Sequence, residues 1–355
     1  MQYASTVWGF VLGAVISLSA IVTVNYTVDP ARIFGDGKLE HEVAEALAAG
    51  RHVIGATNLD HRLIQRYLTT QALRPPSVLV LGSSRSSEIG GNIFPDQNLL
   101  NQFVPGADLD DLKGLLSNWD ARDGQIDVIV LGIDPWMFNP SRNTGVGYVK
   151  SVFANVEDAT IDSIDLRTIW RKVQALISLR YVLDSVYTLR SRTRDLDGHV
   201  YTLVDDDNHD AAVLRPDGTR KSARSTLERR AEEGNIEAAR VGRDTVMWGL
   251  ENFTSVDAVN LASFEGLLDG LHVRNSRVII FLPPYHPLAF RNIRERPKYR
   301  MVMKLESELR ALGKERGLNV VGSYDPSLGQ CTDDEFFDYH HPRPSCVERL
   351  FRLAE

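Results

Sequence analysis

Four short apolar runs constrain what this chain can fold into: Ser77–Leu81, Ile126–Leu131, Arg277–Leu282 and Gly317–Val321. Each is too short for a stable helix and too uniformly apolar for a half-exposed strand, so each reads as a strand buried on both faces. Longer helical patterns fall between and before them, at Asp108–Trp119, at Pro297–Glu315, and over Leu39–Leu73, where Gly50 and Gly55 interrupt the spacing and Arg74-Pro75-Pro76 ends it. Strands alternating with helices predict an α/β fold: a parallel sheet with helices on both faces. The alternation fades between about 140 and 245. There Ile164–Leu189 reads as a long helix, and Arg190–Arg224 is polar and turn-rich, with Asp205-Asp206-Asp207 and Pro216-Asp217-Gly218. A chain of 355 residues fits one large domain carrying this stretch as a helical and loop insertion.

The first 28 residues carry no full charge, and Val7–Val24 is built almost wholly from Val, Leu, Ile, Ala, Phe and Gly. About 20 apolar residues span a bilayer's hydrocarbon core as a helix. Trp8 and Tyr26 bracket the run at the two interfaces. A buried core helix and a cleaved signal peptide are the rivals; the missing basic leader and the length of the run oppose the second. The expected organisation is an anchor over 1–28 contacting lipid through 7–24, a helical linker region over 29–76 opening at Asp29-Pro30, and the α/β domain over 77–355. Charge orients the span poorly: Arg32 and Lys38 lie just after it, against an outward-facing domain. The two cysteines, Cys331 and Cys346, favour that orientation. They close a loop of about 15 residues, for which a disulfide is worth ~3 kcal/mol, and a disulfide belongs in an oxidising compartment. The net charge of −7 opposes a nucleic-acid partner. No phosphate-binding loop, dinucleotide fingerprint or zinc motif occurs, and no cofactor or metal is expected. The acidic run at 205–207 reads as a solvated loop.

In open parallel sheets, ligands bind beyond the carboxyl ends of the strands. Here those ends read Gly82-Ser83-Ser84-Arg85, Gly132-Ile133-Asp134-Pro135-Trp136 and Pro283-Pro284-Tyr285-His286, and the fourth leads to Asp338-Tyr339-His340-His341-Pro342. A hydroxyl, an imidazole and a carboxylate are the parts of an activated nucleophile. Ser84 is the expected nucleophile, with Gly82 permitting a tight turn, His341 the base and Asp338 its orienter. Ser83, Ser84 and Ser86 also suit plain helix capping, and His340 competes as base. Tyr285 and His286 are placed as pocket residues, with a rigid loop as the plainer reading. Trp136 and Phe138 suit core packing better than a sugar platform.

Together these segments resemble the SGNH (GDSL-like) hydrolase superfamily, and within it the membrane-anchored extracytoplasmic branch that includes the D-alanyl transfer protein of teichoic acid and the alginate acetylation proteins. The resemblance implies a three-layer, flavodoxin-like α/β/α domain, with Ser84, His341 and Asp338 as the catalytic triad and the Gly106 backbone N–H in the oxyanion hole. The chain departs from the family at Gly132-Ile133-Asp134, where Gly-x-Asn would supply an amide donor; an ionised Asp only accepts. Arg85 is the candidate to neutralise Asp134, Asn139 the candidate replacement donor, and Asp134-Pro135 otherwise a structural turn. The implied activity is serine-dependent O-acyl, chiefly acetyl, transfer to or hydrolysis from an envelope polysaccharide or glycolipid. The implied location is the outer face of the cytoplasmic membrane, beside an integral-membrane partner that moves acyl groups across the bilayer. The alternative is a non-catalytic binding or assembly subunit of a polysaccharide machine.

Overall fold

The computed structural model describes residues 2–29, 34, 37–55, 59–120, 122, 124–142, 170, 173–192, 201–228, 231–273 and 275–354. The charge-free N-terminus is a single helix, α1 (Gln2–Val28). Its stretch Val7–Val28 is long and apolar enough to cross a membrane, and the most apolar 18 residues within it are not buried by the rest of the protein, which fits a membrane anchor or a signal sequence. The expected 29–76 linker is not purely helical. Helices α2 (Lys38–Ala48) and α3 (His61–Gln71) flank a three-residue strand, β1 (His52–Ile54).

The four apolar runs and one further strand form a parallel sheet: β2 (Val78–Gly82), β3 (Leu99–Phe103), β4 (Val128–Gly132), β8 (Arg277–Leu282) and β9 (Asn319–Gly322). Helix α4 (Leu109–Asp120) follows β3. Between β4 and the later strands lie α5 (Leu179–Arg192), the short strands β5 (Thr202–Val204), β6 (Val213–Leu214) and β7 (Arg220–Lys221), α6 (Ala231–Arg240) and α7 (Ala258–Val273). Then come β8 (Arg277–Leu282), α8 (Pro287–Glu295), α9 (Arg300–Arg316), β9 (Asn319–Gly322) and α10 (Pro344–Arg352). The strand order is β3-β2-β4-β8-β9, so the direction of winding reverses at β2 and opens a crevice beyond its carboxyl end. Side chains alternate between two apolar clusters. Leu79, Leu81, Ile129, Leu131, Ile280 and Leu282 face the cluster that includes residues of α4, α7, α8 and α9; Val78, Val80, Val130, Ile279, Phe281 and Val321 face the one that includes α10.

Three further features depart from expectation. Strand β3 is a fifth sheet member that its polar Asn101 and Gln102 disguise. The 140–245 region contributes a second sheet, order β5-β1-β6-β7, in which the supposed linker pairs antiparallel with the insertion. It has its own core of Leu39, Val43, Leu47, Val53, Ile64 and Leu68. The long helix expected over Ile164–Leu189 is broken in its described part: 173–176 is helical, Ile177–Ser178 turns, and α5 begins at Leu179, while 164–169 and 171–172 lie outside the described residues. The turn between β6 and β7 packs on β3, where Asn101 N–H donates to the Asp217 carbonyl at 2.7 Å, and Arg220 N–H donates to the Ser87 carbonyl at 3.4 Å. The insertion therefore walls the crevice.

Candidate active site

Strand β2 delivers Ser83 and Ser84 to the crevice, and a short 3-10 turn over Ser84–Ser86 follows. The three serines divide the local work. Ser83 caps the turn, its hydroxyl accepting from the Arg85 N–H at 3.1 Å. Ser86 is buried between the two strand-end glycines, so close that a Cβ on Gly82 or Gly132 would collide with its hydroxyl. Gly82 is thus needed for this close approach and not, as expected, for a turn. Ser84 has neither task and is partly exposed.

Its hydroxyl lies 2.9 Å from His341 Nε2, and His341 Nδ1 lies 2.7 Å from Asp338 Oδ2. Residues 257 positions apart in sequence are thereby brought into hydrogen-bond reach. The other Asp338 oxygen accepts from the His340 and His341 N–H groups, both at 2.9 Å. Burial would raise the Asp338 carboxyl, but the His341 hydrogen bond, the neighbouring imidazoles and the backbone donor hold it well below the usual carboxylate range. His340 is not the serine's partner. Its ring is sandwiched, mostly shielded from solvent, between Tyr339 and His341, at centroid distances of 4.1 and 4.0 Å, and this desolvation holds it neutral far below the ordinary histidine value.

The loop carrying His341 is tightly built. Phe336 bridges to Pro342, Phe337 N–H donates to the His341 carbonyl at 2.9 Å, and Arg349 grips Glu335 at 2.7 and 2.6 Å. Cys331 and Cys346 are joined in a disulfide that brackets the loop and is buried in the second core cluster.

Arg85 ties this loop to the sheet. It is buried, and its guanidinium donates to Asp134 Oδ1 (2.7 Å), the His340 carbonyl (2.8 Å), and the Pro283 and Pro284 carbonyls (2.6 and 2.8 Å). One side chain thus joins the ends of β2, β4 and β8 to the histidine loop, with its cationic plane 4.1 Å from the Tyr285 ring centre. Asp134 is fully buried; burial pushes its carboxyl above the usual range against the pull of the Arg85 charge. Its carboxylate is engaged behind the crevice by Arg85.

A cleft of about 210 Å³ opens over the triad. Ser84, Ser87, Glu88 and Phe103 form one side, Arg220, Ser222 and Thr226 of the insertion a second, and Phe337, Asp338, His341 and Pro342 a third. Several expected pocket residues do not line it. Asn139 is buried and donates to the Gly249 and Glu251 carbonyls at 3.0 and 2.9 Å, so its amide is committed to loop structure. His286 caps α8, its Nδ1 accepting from Leu288 N–H at 3.1 Å and its Nε2 facing Asn235 Oδ1 at 2.9 Å. Tyr285 is buried beneath Arg85, and burial lifts its hydroxyl far above the usual range. Arg85 and Asp134 sit behind the cleft. Trp136 and Phe138 are core residues. Gly106 has a left-handed backbone (φ +66°) that a side chain resists, with the Trp248 ring where a Cβ would go, and its carbonyl accepts from Arg142 Nη2 at 2.9 Å.

The sequence reading missed Glu88 and Arg220. Glu88 lies four residues after Ser84; burial, opposed by Arg215 and Arg220, pushes its carboxyl up to about 7. Asp338, His340 and His341 are close enough together to suggest a metal site. Both His341 ring nitrogens already face Ser84 and Asp338, so a metal at that ring would have to displace one of these contacts. A scan against protein-family models finds none that matches the chain, and a search of curated proteins finds no relative.

Proposed function

We propose that this protein is a serine-dependent acyl-transfer enzyme, an O-acyltransferase or esterase, built on a three-layer α/β/α domain of SGNH type. The observation that carries the reading is the continuous Ser84–His341–Asp338 hydrogen-bond chain, at 2.9 and 2.7 Å, on the floor of an open cleft. Ser84 Oγ attacks an ester carbonyl while His341 Nε2 takes its proton, and Asp338 stabilises the imidazolium. Collapse of the tetrahedral intermediate expels the alcohol, which His341 protonates, and leaves acyl-Ser84. A second hydroxyl, from a sugar or from water, then takes the acyl group by the reverse route. The backbone N–H of Ser84 is the proposed oxyanion donor; Asp134 provides no amide, and Gly106 does not line the cleft. The cleft is below the usual 300–1,000 Å³ of a ligand pocket, which favours a short acyl group such as acetyl over a long chain.

The envelope location and the substrate class, a polysaccharide or glycolipid, rest on the apolar helix α1, the disulfide and the resemblance in sequence pattern. In this reading α1 is an uncleaved single span, the cleft lies outside the cytoplasm, and an acyl-carrying integral-membrane protein is the partner. The alternative, a non-catalytic assembly subunit, drew its support from Asp134. With that carboxylate held by Arg85, the departure from the family pattern leaves the triad intact.

The test is treatment of the full-length protein with p-nitrophenyl acetate and with a fluorophosphonate probe, beside Ser84→Ala. Covalent labelling and ester cleavage are expected for the parent and lost in the variant. Labelling that ignores the substitution, or a parent inert to both reagents, would favour the non-catalytic alternative.

A further inference from the structure

The N-terminal helix does not simply end where the folded domain begins. Asn25, near its C-terminal end, is fully buried and donates from Nδ2 to the carbonyls of Ala175, Leu176 and Ser178, at 3.0, 2.9 and 3.0 Å. The Tyr181 hydroxyl donates to Asp29 Oδ1 at 2.6 Å. The end of α1 is therefore docked on the turn that precedes α5 and on the first turn of α5 itself.

That docked segment turns an apolar face outward. Trp170, Val173 and Ile177 ahead of α5, and Leu179, Leu183 and Val186 on it, are all exposed, Leu179 and Leu183 by 68% and 66%. The spacings of four and three residues put Leu179, Leu183 and Val186 on one side of α5. The inward positions, Tyr181 and Ser185, are buried. Withholding a Leu or Ile side chain from burial forgoes about 1.5–3 kcal/mol, so a row of them facing water is unfavourable. Among the described residues nothing covers this row. Helix α1, whose apolar window is unburied, packs against α5 beside this row.

We infer that Trp170 and the exposed apolar residues of 173–186 form a second membrane contact, an amphipathic platform lying along the bilayer surface at the foot of α1. The inference rests on reading α1 as a membrane span. The occupant is lipid, because the platform continues the apolar surface of a helix that only a bilayer would cover. In sequence, Arg171, Lys172 and Arg180 fall among the apolar positions, as in helices that lie at an anionic headgroup layer, and Trp170 suits that depth. A lone span would let the domain swing above the membrane. A span joined to a platform fixes its height and tilt, and with them the position of the cleft relative to membrane-borne substrate.

Both native cysteines are in the disulfide, so one introduced cysteine is a unique labelling site. Full-length Ile177→Cys and Leu183→Cys would carry a nitroxide in vesicles of phosphatidylethanolamine and phosphatidylglycerol, with Phe10→Cys on α1 and Val259→Cys on the exposed face of α7 as references. Collision with oxygen reports the bilayer, and collision with a water-soluble nickel chelate reports solvent. The expected oxygen-to-nickel ratio at 177 and 183 is severalfold above that at 259 and approaches that at 10. If positions 177 and 183 match 259 while 10 lies in the bilayer, the platform is refuted and the span stands. If position 10 is also aqueous, the span fails and the platform with it. Shielding of 177 and 183 from both reagents would mean that a second copy covers the face, which also overturns the inference. As a label-free check, Trp170→Phe should remove part of the quenching by lipids brominated near the headgroup; unchanged quenching would count against the platform.

Discussion

Replacing Arg85 by methionine would remove the donor that joins three strand ends to the histidine loop. The consequence divides into two parts that experiment can separate. First, Asp134 would be left fully buried without its cation. Breaking a buried ion pair in this way costs about 3–5 kcal/mol. Second, the carbonyls of His340, Pro283 and Pro284 would lose donors now 2.6–2.8 Å away. A buried acceptor left unsatisfied costs about 1–3 kcal/mol, less where water enters. The sum, above ~5 kcal/mol, rivals the whole stability of a typical domain. Arg85→Met/Asp134→Leu removes the first part and keeps the second, so it should be about 3–5 kcal/mol more stable than the single variant. Arg85→Lys keeps the charge, loses the fork and should fall between the parent and Arg85→Met. Urea unfolding of the full-length protein in micelles, followed by tryptophan fluorescence, reports the change, with Trp136 among the emitting residues and its ring centre 5.8 Å from the Arg85 guanidinium. The rate of fluorophosphonate labelling should fall in both methionine variants, since the His340 carbonyl is one tether of the residue beside the base. An Arg85→Met loss below 1 kcal/mol, or a double variant no more stable than the single, would refute the clamp argument.

Asp338→Asn should preserve the fold and lower ester turnover about a thousandfold or more, since an amide neither fixes the imidazole tautomer nor stabilises its cation; kinetics on p-nitrophenyl acetate check this. Glu88 has a folded-state pKa raised from 4.5 to about 7, so the stability it contributes is full below pH 4.5 and is lost as pH rises through 7. Glu88→Gln stays neutral, and should therefore match the parent near pH 4 and exceed it near pH 8 by up to about 3 kcal/mol, measured as urea midpoints at the two pH values. Intact-mass analysis of exported protein should show Cys331 and Cys346 unreactive to an alkylating agent until reduced, with reduction costing ~3 kcal/mol for this loop.

Several parts of the site were legible because they are local. Apolar runs of strand length announced β2, β4, β8 and β9, and where a strand ends, Gly82-Ser83-Ser84 and Pro283-Pro284 mark a change of backbone direction. The Asp338–His341 spacing suffices for a short turn to bring carboxylate and imidazole together, since Asp338 Oδ1 accepts the very N–H groups that shape the turn. Strand β3 was hidden because its polar residues are buried and satisfied at long range. Asn101 Nδ2 donates to the Ser86 and Ile89 carbonyls, and Gln102 bonds to Gln65, Thr69 and Trp119. Pattern reading takes such residues for a loop. Strand β1, three residues long, offers no period at all.

The amino-acid order alone determined an apolar N-terminal helix, an alternating α/β chain, and a pair of cysteines flanking the Asp338–His341 turn, because each is written in neighbouring residues through periodicity and spacing. Which of three serines faces the cleft, which of two adjacent histidines reaches it, and whether Asp134 opposes the site or braces it were decided only by tertiary packing. Those outcomes turn on burial and on partners 49 to 257 positions away, such as Arg85 for Asp134 and His341 for Ser84. Distances of that kind are set when the sheet, the insertion and the disulfide-bound loop close around one another.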